Sequence, residues 1–283
     1  MTEPTKFRKL PRVSTIPKSE DFYKVLESIK TTDNFSSPLT ISVFVICGSL
    51  NSTIDLNKLI ELYENDENKD GSMIISWDPE SKKSKAKIGD AENSDSFYNS
   101  LKIDSKIQGN NISAKIFKNG KIHITGCRTI EIVHKVPVIY KNYLENYYPE
   151  CIVDIESYTL YDQTICMINT LTNLNREIDR ENMKNIINDN TIYNGGNWRS
   201  AIRPKRHQGV IARYLTNKSR DIYKDKAAIP AKVPGQVTVI IFRSGKVIIT
   251  GGKTLEDIKE AYDGIVKIVR DNEKTVQYDS DSD

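Results

Sequence analysis

Residues 115–126 read KIFKNGKIHITG, and residues 240–251 read IIFRSGKVIITG. Seven of the twelve aligned positions are identical, at an offset of 125 residues. The match runs on, with CRTIE from Cys127 against GKTLE from Gly252. Nearly the same offset recurs upstream. Leu50-Asn51 matches Leu174-Asn175 and Ile54-Asp55 matches Ile178-Asp179, both at 124, and Pro79 matches Pro204 at 125. Self-similarity at one spacing marks a duplicated structural unit. The 283 residues therefore divide into an N-terminal extension (1–36), a first repeat (37–155), a second repeat (156–273) and an acidic tail (274–283) that is expected to be disordered.

Each repeat has the same order of patterns. A short β-branched run opens it, at 41–46 and at 164–168. A helix follows, with Asp55 or Asp179 at its N-cap, where a carboxylate satisfies orphan N–H groups. Leu56, Leu59, Ile60 and Tyr63 make the apolar face of the first, and Met183, Ile186 and Ile187 that of the second. Further strands are expected at 73–77 and at 210–214. A tight hairpin turns at Asn119-Gly120 and at Ser244-Gly245. A long helix closes the repeat. In the second, Thr254 and Asp257 form a capping-box start to the stripe Leu255, Ile258, Tyr262, Ile265, Val269. In the first it starts at Thr129, and Pro137 is expected to kink it or delay its start. The repeat is β-α-β-β-β-β-α, an α+β pattern. The stretches 65–111 and 194–234 read as polar insertions, with Lys82, Lys83, Lys85 and Lys87 on a solvated loop.

The composition excludes several classes. The sequence has no uncharged apolar run long enough to cross a membrane as a helix, and the first ten residues lack the apolar core of a secretory signal. The cysteines Cys47, Cys127, Cys151 and Cys166 form no CxxC pair, so neither a zinc site nor a disulfide framework is expected. They read as small core residues in a reducing compartment. No Walker loop, GxGxxG or nucleophile constellation occurs, and the three histidines (His123, His134, His207) are scattered, so an enzyme, a cofactor and a metal site are not expected. The net charge of +3 includes the acidic DSDSD at 279–283, so the body is more basic, which suits a polyanion partner.

Strand alternation sorts the hairpin residues into two faces. In the second repeat Val237, Val239, Ile241, Val247 and Ile249 share one wholly apolar face, suited to packing under helices. Thr238, Ile240, Phe242, Ile248 and Thr250 share the other. That second face is either buried by further helices and loops or is an interaction surface, since exposed apolar area marks one. The equivalent residues of the first repeat are Ser113, Lys115, Phe117, His123 and Thr125, a more polar set.

A tandem β-α-β4-α repeat with the phrase IFxSGKxxxTG in each half, at 116–126 (Asn119 replacing the serine) and 241–251, resembles the TATA-box-binding protein family. The wording FKNGKIHITGC, FRSGKVIITGG and Met167-Ile168-Asn169 is most similar to the divergent members found in large DNA viruses. The resemblance implies a saddle, one curved antiparallel sheet with helices on the convex face and the minor groove of double-stranded, A·T-rich DNA against the concave one. Family members insert phenylalanines between base steps and kink the duplex. By resemblance Phe117 and Phe242 are wedges, Thr125 and Thr250 bond base acceptors, and Ser113, Thr238, Ile240 and Ile248 line the groove. Lys115 and His123 depart from the apolar family pattern. The second wedge of each repeat aligns with Lys82 and His207, which cannot wedge as phenylalanine does. The groove asparagine aligns with Val43 and Met167. Asn169, on the same strand face, is its substitute, and Val45 is the counterpart in the first repeat.

Three functions are compatible with this reading. One is a sequence-tolerant, DNA-bending transcription initiation factor that meets general transcription factors or the RNA polymerase machinery. Another is a protein-recruiting scaffold with little DNA binding, and the third is an architectural virion or chromatin protein. The implied location is intracellular: the host nucleus, a cytoplasmic viral factory or the virion.

Overall fold

The computed structural model describes residues 14–29, 35–69, 71–77, 100–190, 197–200, 209–223 and 235–278. The chain forms two compact units. Unit 1 comprises Met1–Ile16 and Val45–Ile165, and unit 2 comprises Pro17–Phe44 and Cys166–Asp283.

Unit 1 contains the second half of β1 (Thr40–Ser49), then α2 (Leu56–Asn65), β2 (Met73–Trp77), β3 (Ser100–Ile107), β4 (Asn110–Phe117), β5 (Lys121–Cys127) and α3 (Ile130–Tyr147). Its strands lie in the order β2-β3-β4-β5-β1. Unit 2 contains α1 (Ser19–Ser28) and most of β6 (Tyr161–Asn173). They are followed by α4 (Arg180–Asp189), β7 (Trp198–Ser200), β8 (Val210–Leu215) and α5 (Asn217–Tyr223), then β9 (Gln236–Ile241), β10 (Lys246–Gly252), α6 (Leu255–Asp271) and α7 (Glu273–Val276). Its order is β6-β10-β9-β8-β7. The pairings within each set are antiparallel, so the α+β class expected from the repeat is the observed one.

The caps form as the sequence dictates. The Asp55 carboxylate accepts from the N–H groups of Asn57 and Lys58, and Asp179 accepts from those of Glu181 and Asn182. Thr254 and Asp257 make the full capping box. Leu255, Ile258, Tyr262, Ile265 and Val269 are all buried on α6. The hairpin turns differ in one respect. Of each expected dipeptide only the glycine has positive φ, +74° at Gly120 and +78° at Gly245. The N–H of Gly120 donates to Phe117 O at 2.9 Å and that of Gly245 to Phe242 O at 3.0 Å, the pattern of a three-residue loop ending in a left-handed residue. A Cβ at Gly120 would stand 2.0 Å from Ser52 O, and one at Gly245 2.2 Å from Arg176 O, so both turns are pressed onto neighbouring backbone.

Several expectations are corrected. Pro137 neither interrupts α3 nor delays it: Thr129 caps the helix, Ile130 begins it, and Pro137 sits buried inside. Burial of Ile130, Val133, Val136, Tyr140 and Leu144 on the same helix offsets the hydrogen bond that proline removes. The counterpart of 210–214 is not Met73–Trp77. By strand order β8 corresponds to β3, and β2 to β7, so the stretch 65–111 holds a full strand as well as an insertion. The N-terminal extension contributes α1, whose Phe22 is buried 5.4 Å from the Phe44 ring. The tail is packed as far as Tyr278: α7 buries Val276 completely, and Asp179 N–H donates to Val276 O at 2.8 Å. Residues 279–283 lie outside the described residues, as do Lys82, Lys83, Lys85, Lys87 and His207. Cys127 and Cys151 are buried thiols, pushed up to about 12 by burial, whereas Cys47 and Cys166 are disulfide-bonded.

Candidate nucleic-acid interface

The two faces of the hairpin strands separate as alternation requires. In unit 2 Val237, Val239, Ile241, Val247 and Ile249 are fully buried. Thr238, Ile240, Phe242, Ile248 and Thr250 are only half-buried. The register joins the second set to its neighbours in two rows. Ile240 pairs with Ile211 on β8 and Ile248 on β10, and Ile248 pairs with Leu171 on β6. The result is an unbroken apolar row across four strands, ending on Leu171, which is 44% exposed. The adjacent row is polar: Arg213, Thr238, Thr250 and Asn169. Here the Thr250 hydroxyl donates to Asn169 Oδ1, with Met167 Sδ 3.3 Å from Thr250 Oγ1. Asn169 is thereby oriented, and its amide N–H groups remain available as donors. Its backbone O accepts from Ser42 Oγ at 3.1 Å. Val45, the counterpart proposed for Asn169, is buried in unit 1 and offers nothing of the kind.

Phe242 follows β9 at the hairpin turn. An open recess of about 710 Å³ lies beside it, lined by Glu177, Arg180, Arg243, Ser244 and Lys246. The Arg243 guanidinium stacks on the Tyr278 ring at 3.5 Å and stands 3.8 Å from the Glu177 carboxylate. The aromatic side chain is thus bordered by three cationic groups and one carboxylate.

Unit 1 has the same backbone pattern and different chemistry. Ile112, Ala114, Ile116, Ile122, Ile124 and Cys127 are buried on one face. Ser113, Lys115, Phe117, His123 and Thr125 are half-buried on the other. Cross-strand pairing extends these residues into Ser76-Lys102-Lys115-His123 and Ile74-Asp104-Ser113-Thr125. Lys102 Nζ is 2.7 Å from Asp104 Oδ2. Thr125 Oγ1 donates to Ser113 O at 3.4 Å. Burial, and after it the neighbouring Lys115 ammonium, holds His123 below the ordinary imidazole value, so it is neutral at pH 7.

The structure thus brings together, within each unit, every expected site residue that it describes. It adds Ile211, Arg213 and Leu171 in unit 2, and Lys102 and Asp104 in unit 1. The signal for the last two was present, since SLKIDSKI alternates Leu101 and Ile103 with Lys102 and Asp104. Among the described residues no group of three or more His, Cys, Asp or Glu is placed to hold a metal ion, and no helix is long and apolar enough to cross a membrane.

A sequence family model, Transcription factor TFIID (or TATA-binding protein, TBP), matches residues 173–272, the span that carries most of unit 2's open face. Over that span the chain is similar to the TATA-binding-protein family. It is similar to the TATA-box-binding protein-like protein of Acanthamoeba polyphaga mimivirus. The two are 29% identical over 185 residues, which is 61% of this chain and 48% of the relative. The chain therefore spans about half the length of that viral relative. The solved structure of Methanococcus jannaschii TBP covers 82% of this chain and 98% of its own, at 20% identity and a TM-score of 0.47.

Proposed function

We propose that the protein binds and bends double-stranded DNA through the minor groove and acts as a transcription initiation factor, without catalysing a reaction. The single observation that carries this reading is the row Ile211-Ile240-Ile248-Leu171. It is an apolar strip left open on a sheet whose other face is already buried under helices. An apolar strip flanked by threonine and asparagine suits the floor of an A·T-rich minor groove, which carries acceptors and no exocyclic amine. Phe242 and Phe117 are the wedges of this reading, at the ends of β9 and β4. Thr250, Thr125 and Asn169 bond base acceptors, and Thr238, Ser113, Ile240 and Ile248 set the fit. Lys115 and His123 contribute polarity on unit 1, and by the repeat alignment alone His207 falls at the second wedge position of the second repeat. The partners are general transcription factors or the polymerase machinery, in the host nucleus or a viral factory.

Electrophoretic shift and fluorescence bending assays on A·T-rich and G·C-rich duplexes, across a salt titration, test the reading. A preference for A·T of about tenfold or more, with bending, is expected. A steep salt dependence with no base preference would instead indicate an architectural protein. The polar face of unit 1, with Lys115 and His123 where the apolar row stands in unit 2, favours a second reading as a protein-recruiting scaffold. Absence of binding to every duplex at low salt would support it.

A further inference from the structure

The open face of unit 1 carries a pair of groups that unit 2 lacks. Asp104 lies in one row with Ile74, Ser113 and Thr125, and Lys102, two residues back on the same face, holds its carboxylate at 2.7 Å. The pair joins an oriented acceptor to an oriented donor. A recess of about 380 Å³ opens at this point, bordered by Ile74, Asp104, Asn111 and Ser113. By strand correspondence the unit 2 residues at these two positions are Arg213 for Asp104 and Ile211 for Lys102. One unit therefore presents a carboxylate where the other presents a guanidinium.

In the minor groove all base pairs show acceptors, and a G·C pair adds one donor, the exocyclic N2 amine of guanine. A strip of isoleucines covers that amine without pairing it, which is unfavourable. A carboxylate has only acceptor sites, so it meets the amine and is repelled by the O2 and N3 atoms of A·T pairs. A hydrogen bond to a charged acceptor is also the stronger kind. Lys102, beside it, can donate to the acceptors of the neighbouring pair. We propose that Asp104, held by Lys102, accepts a hydrogen bond from the guanine amine, so that the stretch of duplex on unit 1 favours a G·C pair while the stretch on unit 2 requires A·T. This specificity rests on the DNA-binding reading above.

The test moves one G·C pair, or one inosine·C pair, along an A·T-rich duplex and measures affinity by anisotropy. Inosine lacks the amine, so the I·C to G·C affinity ratio isolates it and cancels uniform charge effects. For the native chain, one run of positions should bind G·C at least as well as I·C. The other run should bind G·C about tenfold more weakly than I·C. Asp104→Ala should raise the ratio in the first run about tenfold and leave the second unchanged. Asp104→Asn, which keeps a carbonyl acceptor and the shape of the side chain, should shift the ratio part of the way, and it decides the matter if the alanine variant does not fold. A ratio equal at all positions, or one that neither substitution changes, overturns the proposal while leaving A·T binding intact. Failure of the native chain to bind any duplex overturns the DNA-binding reading and this inference together.

Discussion

The hairpins of the two units can be laid on one another pair by pair. On the buried face Ala114 and Ile124 stand where Val239 and Ile249 stand, and Ile116 and Ile122 where Ile241 and Val247 stand. All eight are almost completely buried apolar residues. On the open face the same comparison sets Lys115 and His123 against Ile240 and Ile248. One face has kept its chemistry and the other has changed it. Folding constrains only the side that must lose water against the helices. The open side is free to take up whatever its contact requires, so differences there carry the functional information.

The sharpest way to break this comparison is to truncate both faces. Ile241→Ala and Ile116→Ala remove fully buried side chains and should each cost about 2–5 kcal/mol of stability, roughly 5–15 °C in melting temperature. Ile240→Ala, one residue away on the open face, should cost under about 1 kcal/mol and instead weaken DNA binding. Equal destabilisation by Ile240→Ala and Ile241→Ala in thermal melts would mean that both faces are core.

A smaller effect separates the two aromatic residues at the hairpin ends. Phe242→Ala should weaken duplex binding by about 2 kcal/mol, roughly thirtyfold, and reduce the bend seen by fluorescence transfer, because a desolvated aromatic anchor carries a large share of an interface's energy. Phe117→Ala should do less, since the neighbouring rows on its face hold lysine, histidine and aspartate and depend less on close apolar fit. The reverse order would place the dominant contact on unit 1.

Smaller still is the electrostatic difference. Lys115→Ala should lower the slope of log affinity against log salt by about one, with little change in base preference. Thr250→Ala should leave the slope alone and erode the preference. A common effect of the two substitutions on both quantities would remove the distinction between a charged face and a reading face.

The sorting of faces was legible because it depends only on period-two alternation and on a repeat with fixed spacing. Val239 and Ile241 against Ile240 and Phe242 needs nothing else. The caps were legible for the same local reason. What sequence reasoning missed lies in the outer strands. Matching 210–214 to Met73–Trp77 put β3 inside a supposed loop, and with it Lys102 and Asp104. The strands β2 and β3 are separated by residues 78–99, and the corresponding stretch between β7 and β8 has a different length, so a constant offset fails there. Cross-strand rows are also invisible in one strand alone. Leu171 joins Ile248 only through the antiparallel register of β6 and β10, and the hydrogen bond that orients Asn169 comes from Thr250, 81 residues away.

The smallest expected effect concerns a single proton. His123 sits in the middle of the unit 1 face with Lys115 directly across the hairpin and Lys102 one strand further on. Burial, then Lys115, depresses its pKa below the ordinary imidazole value of 6.5. The folded chain therefore binds this proton less readily than the unfolded chain does. The stability associated with His123 is full above pH 6.5 and is lost as pH falls below that value toward the folded pKa. Bound DNA works in the opposite direction, because phosphates favour the imidazolium, so complex formation should take up a proton. Affinity should rise a few-fold as pH falls from about 7.5 to about 5.5, and level off once the free protein is itself protonated. His123→Gln should flatten the profile. Lys115→Ala should move it to higher pH, because the repulsion that helps depress the imidazole is gone. An imidazole NMR titration of the free protein checks the first step, and anisotropy against pH the second. A free-protein pKa at or above 6.5 would mean a well-hydrated face that neither burial nor Lys115 controls. A profile unchanged in His123→Gln would mean that the duplex does not lie on this side of unit 1.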